Sequence, residues 1–162
     1  MNNDTSITEE LKHFMRSFPQ GVTLVTTHRS GRLLGITVSS FTSLSLDPPL
    51  ILIAISKDAS SHDDFVGCEY FNVQLLSSDQ DSLALKFAKK IVHDEKFRDL
   101  GYSVDSKDNP VMDGVLANLE CSNYQVYDAG DHSLILGKVE KARVLRESSP
   151  LVYHNRQFTT VK

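Results

Sequence analysis

Val22-Thr23-Leu24-Val25-Thr26-Thr27, then His28-Arg29-Ser30-Gly31, then Leu33 to Phe41: these nineteen residues decide the fold class. The first run is rich in β-branched residues and bounded by turn formers, a strand signature. His28-Arg29-Ser30-Gly31 reads as a hairpin loop, with Gly31 able to supply a positive φ. Leu33 to Phe41 is the return strand. Asp47-Pro48-Pro49 follows as a rigid break, because neither proline can donate to a ladder. Leu50 to Ile55 is then apolar at every position, a strand buried on both faces.

Working outward, Thr8 to Phe18 has helical periodicity. Thr8 is a candidate N-cap, with Leu11, Phe14, Met15 and Phe18 on one side, and Pro19 stops the run. Ser60 to Val66 reads as a short helix and Tyr70 to Leu75 as a strand. Ser78 to Lys90 is a second helix, and Lys89 to Asn109 a polar loop with a short helical piece. Two long strands, Gly114 to Tyr127 and Ser133 to Leu145, flank Asp128-Ala129-Gly130-Asp131-His132. A tail with Tyr153 and Arg156 follows Pro150. The total is six or seven strands, two or three short helices and no repeat. Hairpins dominate and no β-α-β alternation appears. A closed antiparallel barrel fits, since closure removes exposed sheet edges.

At 162 residues and 18.1 kDa the chain suits one domain. Surface scaling gives about 26,000 Å² unfolded and about 8,000 Å² folded, an ordinary core without staples. The net charge of −4 argues against a dedicated nucleic-acid binder. Residues 1–81 carry 5 basic and 10 acidic side chains, and residues 82–162 carry 12 and 11. The later half includes Lys86, Lys89 and Lys90, either a solvated helix face or an anion contact. Cys68 and Cys121 lack the spacing of a disulfide framework or zinc site, so both read as reduced, buried thiols. The polar N-terminus has no signal-peptide pattern, and Pro48 to Ile55 is too short to span a membrane. The expectation is a soluble cytoplasmic protein with no metal.

Three stretches could carry chemistry. In Gly35-Ile36-Thr37-Val38-Ser39-Ser40-Phe41, hydroxyls alternate with apolar residues, so Thr37 and Ser39 share one strand face. That row suits close approach by a flat or phosphorylated ligand, or simply forms a polar outer face. Ser56-Lys57-Asp58-Ala59-Ser60-Ser61 sets hydroxyls and a lysine where a helix begins. This reads as an anion pocket or as a plain N-cap. Gly130-Asp131-His132 joins two long strands and either places an imidazole over a barrel mouth or is an incidental turn. Gly-x-Gly-x-x-Gly, phosphate-loop, Gly-x-Ser-x-Gly and His-Glu-x-x-His patterns are all missing.

In order, these segments resemble the short-chain flavin reductase family. These are FMN-binding split-barrel proteins that serve as reductase components of two-component flavin monooxygenases. The resemblance runs from Phe14-Met15-Arg16-Ser17-Phe18-Pro19-Gln20-Gly21-Val22 through Gly35–Ser45, Asp47-Pro48-Pro49-Leu50 and Phe71-Asn72-Val73. It continues over Phe87-Ala88 and Gly130-Asp131-His132 to Leu151-Val152-Tyr153. It covers about residues 11–156 of a single domain spanning 1–162. It implies a mainly β, Greek-key split barrel with a few short helices.

By this resemblance Thr37, Val38, Ser39 and Ser40 line the isoalloxazine and ribityl chain. Ser56, Lys57, Ser60 and Ser61 hold flavin phosphate, and Phe87, Ala88 and Lys89 touch the far end of the cofactor. His132, with Asp131 and Tyr153, sits by the nicotinamide. Hydride passes from NADH or NADPH to FMN or FAD with no side chain as acid or base, since the cofactors carry the reaction. The protein is then a homodimer that supplies reduced flavin to an oxygenase. Two other readings share the fold: a flavin-binding electron-transfer or storage module, and an oxidase of the pyridoxamine phosphate type. The last needs a basic phosphate site absent from the expected half of the sequence.

Overall fold

The computed structural model describes residues 3–91 and 93–161. The chain opens with α1 (Asn3–Ser17), β1 (Gln20–Gly21), β2 (Thr23–Arg29), β3 (Arg32–Val38), β4 (Phe41–Leu46) and β5 (Pro49–Ser56). It continues through α2 (His62–Val66), β6 (Tyr70–Leu75), α3 (Asp81–Ala88), α4 (His93–Phe97), β7 (Tyr102–Val104) and β8 (Pro110–Met112). β9 (Ala117–Ala129), β10 (His132–Val144), β11 (Leu151–His154) and β12 (Gln157–Thr160) complete it.

The quoted run and its return strand form the expected hairpin, β2 with β3. Its turn has positive φ at both Ser30 (52°) and Gly31 (74°), the backbone that a tight two-residue hairpin demands. The hairpin is one edge of a seven-stranded antiparallel sheet in the order β3-β2-β6-β9-β10-β5-β4. The edge strands β3 and β4 are neighbours in sequence, joined only by Ser39-Ser40. Laid flat, seven strands would hold those edges roughly 29 Å apart at about 4.8 Å per gap. Three backbone steps reach about 11 Å at most. The sheet therefore curls until its edges meet. Ser40 marks the seam, its carbonyl accepting Ala54 N–H at 3.2 Å.

Packing agrees with the curl. One core cluster unites Val25, Leu34, Val38, Ile53, Phe71, Cys121 and Ile135, with Phe41 against it, so all seven strands face one interior. A second cluster covers the outer face of β2. There Val22 and Leu24 meet Phe87 of α3, Phe97 of α4, Met112 and Leu151. Alternation along β2 explains the division: Leu24 points out and Val25 in.

Several expectations change. Leu33 to Phe41 is two strands, because the chain leaves one sheet edge at Val38 and joins the other at Phe41. Pro49 opens β5 rather than lying outside it. Segment 89–109, expected as mostly loop, contains α4 and β7 and buries Lys96 and Phe97. Among the described residues, twelve strands and four helices exceed the expected counts, the additions being short pieces with little periodicity to read. The hydrogen-bonded ladder of the main sheet ends at β3 and β4 and is not closed.

Helix α1 begins earlier than Thr8 and leaves its apolar stripe exposed, with Ile7, Leu11, Phe14 and Phe18 all more than half accessible. No described helix is long and apolar enough to cross a membrane. Cys68 and Cys121 are free and buried. Burial pushes their thiols up to about 11 and about 12, with Glu140 adding to the effect at Cys121.

Candidate functional site

At the end of β5, the chain turns into α2 and passes under the C-terminal end of α3. Together they enclose a cavity of about 220 Å³. Ser56, Ser60, Ser61, Phe87, Ala88 and Lys89 line it, six of the eleven positions expected to contact flavin. The two stretches are about thirty residues apart in sequence, and the fold brings them onto one wall. Ser61, not Ser60, holds the N-cap position of α2, and it makes no side-chain cap hydrogen bond. Ile36 and the buried ring of Phe87 supply apolar wall, while the hydroxyls and lysines supply donors for an anion.

Sequence reasoning missed Lys96, which lines the same cavity at only 2 % exposure. Its ammonium donates to Phe87 O at 3.1 Å and Gly35 O at 3.4 Å. An ammonium has three donors, so one remains. Burial alone holds Lys96 below its ordinary pKa, since no carboxylate among the described residues compensates it. Lys90 lines the cavity too. The donor set fits a phosphate group: several hydroxyls and cations converge beside apolar surface, and one cation lies buried with no carboxylate against it among the described residues.

Lys57 does not line this cavity. Its ammonium donates to Gly130 O at 2.6 Å and pairs with Asp128, and its N–H donates to Asp131 O at 2.9 Å. It thus braces the Gly130-Asp131-His132 turn. His132 stands opposite Ser56 in the β10–β5 register, so the imidazole rises from the strand beside the cavity wall. Its Nδ1 lies 2.6 Å from Asp131 Oδ1, and this hydrogen bond holds the Asp131 carboxyl below its usual range. One residue on, Ser133 Oγ is 2.9 Å from His62 Nε2, tying α2 to β10.

The Thr37–Ser40 row is divided. Thr37 Oγ1 donates to Ala84 O at 2.7 Å, fastening β3 to α3, and Val38 is buried in the core. Ser40 Oγ donates to Ala54 O at 2.7 Å. Ser39 instead opens into a second cleft, together with Tyr153. Tyr153 lines this second cleft, whereas His132 lines neither the cleft nor the cavity.

Comparison with known proteins places the chain in a family. The family model described as flavin reductase like domain matches residues 15–162. The chain is 38% identical over 154 residues to the reductase component of flavin-dependent trigonelline monooxygenase from Acinetobacter baylyi. That match covers 94% of this chain and 49% of the relative, so the chain spans about half that protein's length. It is 37% identical to the FMN reductase (NADH) SmoA of Agrobacterium fabrum, covering 91% of this chain and 82% of that one. The solved structure of the NADH:FAD oxidoreductase SgcE6 from Streptomyces globisporus, with NAD and FAD fragments, superposes at a TM-score of 0.90. It is 32% identical, covering 98% of this chain and 95% of that one. This chain belongs to the flavin reductase like domain family.

Proposed function

We propose that the chain is an NAD(P)H:flavin oxidoreductase. It moves hydride from NADH or NADPH to FMN or FAD and hands the reduced flavin to an oxygenase partner. One observation carries this reading. The cavity gathers Ser56, Ser60, Ser61 and Lys89 with buried Lys96 beside the strand that bears His132. Reductases among the relatives support it.

Bound nicotinamide supplies the hydride and bound flavin accepts it, so the chain needs no acid or base. Its residues bind, orient and exclude water. The Ser56, Ser60 and Ser61 hydroxyls and the Lys89 and Lys96 ammoniums hold phosphate. Ile36 and Phe87 close the apolar side. Thr37 to Ser40 line the ring and ribityl chain mainly through backbone, since Thr37 and Ser40 have committed their hydroxyl protons. Holding two reactants in attack geometry supplies about 7–11 kcal/mol in well-oriented systems. Lys57 acts through the loop, fixing the height of His132, which orients the nicotinamide carboxamide.

The curled sheet functions as a split barrel, the seam lying at Ser39-Ser40, and the whole chain is one domain. A homodimer is supported by the exposed stripe on α1. It is also supported by an accessible surface of 9555 Å², against about 8,000 Å² expected for a monomer of this mass. Two free thiols fit the reducing cytoplasm.

His132→Ala is expected to raise KM for the nicotinamide nucleotide about tenfold, the loss of one hydrogen bond of roughly 1.4 kcal/mol. Flavin affinity stays within about twofold. Steady-state kinetics with each substrate varied reads both values, and unchanged nicotinamide kinetics would remove His132 from the site.

A further inference from the structure

One short stretch, from the end of β5 into α2, faces two ways. Ser56, Ser60 and Ser61 line the cavity. Lys57 and His62 turn from it and grip the chain on either side of His132. Lys57 holds Gly130 O through its ammonium at 2.6 Å and Asp131 O through its N–H at 2.9 Å. His62 holds Ser133, its Nε2 lying 2.9 Å from the Ser133 hydroxyl.

The His62 contact is enclosed and directional. The imidazole is only 15 % exposed, and Ser133 is buried. His62 Nδ1 lies 2.8 Å from Asp63 Oδ1. An ionised carboxylate only accepts, so in the neutral ring Nδ1 carries the proton and bare Nε2 accepts the Ser133 O–H. Helix α2 has two other anchors. Phe65 is part of the core cluster with Ile55 and Ile135, and Arg29 of β2 donates to Asp63 O and Asp64 O at 2.8 and 3.1 Å. The helix is thus seated without His62, and what the His62 bond adds falls on β10, one residue from His132.

We propose that His62 is a positioning residue for His132, acting through Ser133. The inference rests on the reductase reading, in which His132 orients the nicotinamide. With residues 130, 131 and 133 all tied to the β5–α2 stretch, His132 sits between pinned neighbours and keeps a fixed place relative to the cavity. Asp131 engages its Nδ1 at 2.6 Å, which leaves Nε2 for the nicotinamide. Hydride transfer depends on orientation, and a misplacement of about 1 Å caused far from the chemistry costs up to about 100-fold.

The test uses the full chain with His62→Ala, His62→Gln and Ser133→Ala, each made in the parent and in His132→Ala. NAD+ and NADP+ carry no hydride, so titrating them by calorimetry into protein saturated with oxidised FMN reads binding without turnover. FMN affinity and KM for NADH and NADPH are measured beside it. His62→Ala and Ser133→Ala are each expected to weaken the nicotinamide nucleotide about three- to tenfold, while FMN affinity stays within about twofold. His62→Gln, whose terminal amide reaches the place of Nε2, recovers most of the loss. In His132→Ala, His62→Ala costs the nucleotide less than about 1.5-fold more, since the two residues act in series. A histidine that merely holds α2 gives another pattern. Ser60 and Ser61 loosen, FMN weakens at least as much as the nucleotide, and the loss persists without His132. That pattern, unchanged nucleotide binding in His62→Ala and Ser133→Ala, or a parent that binds neither nucleotide would overturn the proposal. Should His62→Ala fail to fold, Ser133→Ala breaks the same bond from the other side. A parent that binds NAD+ or NADP+ through His132 and His62 yet never reduces flavin would remove the reductase reading and leave the positioning role standing.

Discussion

Phe87→Ala is expected to lower the thermal midpoint by roughly 6–20 °C. The ring is fully buried and meets Phe97 edge-on at 5.0 Å. A buried Phe→Ala change costs about 3–5 kcal/mol, and each kcal/mol moves the midpoint about 2–4 °C in a chain this long. The ring also packs directly over Gly35, where an added Cβ would lie 2.6 Å from Phe87 Cδ1. Gly35→Ala is therefore destabilising alone, and Phe87→Leu in the same chain recovers part of the loss. Because Phe87 also forms the cavity wall, flavin affinity falls with stability. A Phe87→Ala protein that melts within about 2 °C of its parent contradicts this packing account.

Lys96→Met is expected to weaken flavin binding by about 10- to 150-fold, since a hydrogen bond to a charged group is worth about 1.5–3 kcal/mol. The same lysine has a pH signature. Its folded pKa is depressed by burial, so between that value and the ordinary lysine value the unfolded chain binds a proton that the folded chain does not. Stability of the flavin-free protein therefore rises with pH across that window, and below it the burial cost is constant. Bound phosphate supplies a counter-ion and flattens the rise, as does Lys96→Met. Denaturant unfolding from neutral to alkaline pH, with and without flavin, reads the slope. Equal slopes in parent and variant, with equal flavin affinity, would remove Lys96 from the site.

Strand patterning made much of the fold legible. β6 matches the expected Tyr70–Leu75, and the all-apolar run became β5, which lies beside the edge strand β4 with one face buried and the other only half-buried rather than buried on both. The break at Ser39-Ser40 was hidden because a strand changing sheet edges keeps its β-like composition on both sides. Within the site, hydroxyls at a strand end and an aromatic at a helix end were readable as local motifs. Lys96 was not, because its segment is polar and its burial is created by α4 packing against α3 and β3. Lys57 was read as a phosphate ligand from its place at a strand end. Its direction depends on a turn more than seventy residues away. The exposed stripe of α1 has correct helical periodicity, but periodicity does not say which surface will cover it.

The most direct test of the central claim is the rate of NADH or NADPH oxidation with FMN, FAD or riboflavin added in turn. The account predicts turnover that saturates with added flavin, with Lys96→Met shifting the saturation point upward. Flavin that binds and is never reduced, with either nicotinamide nucleotide, would contradict it and leave a flavin-holding protein instead.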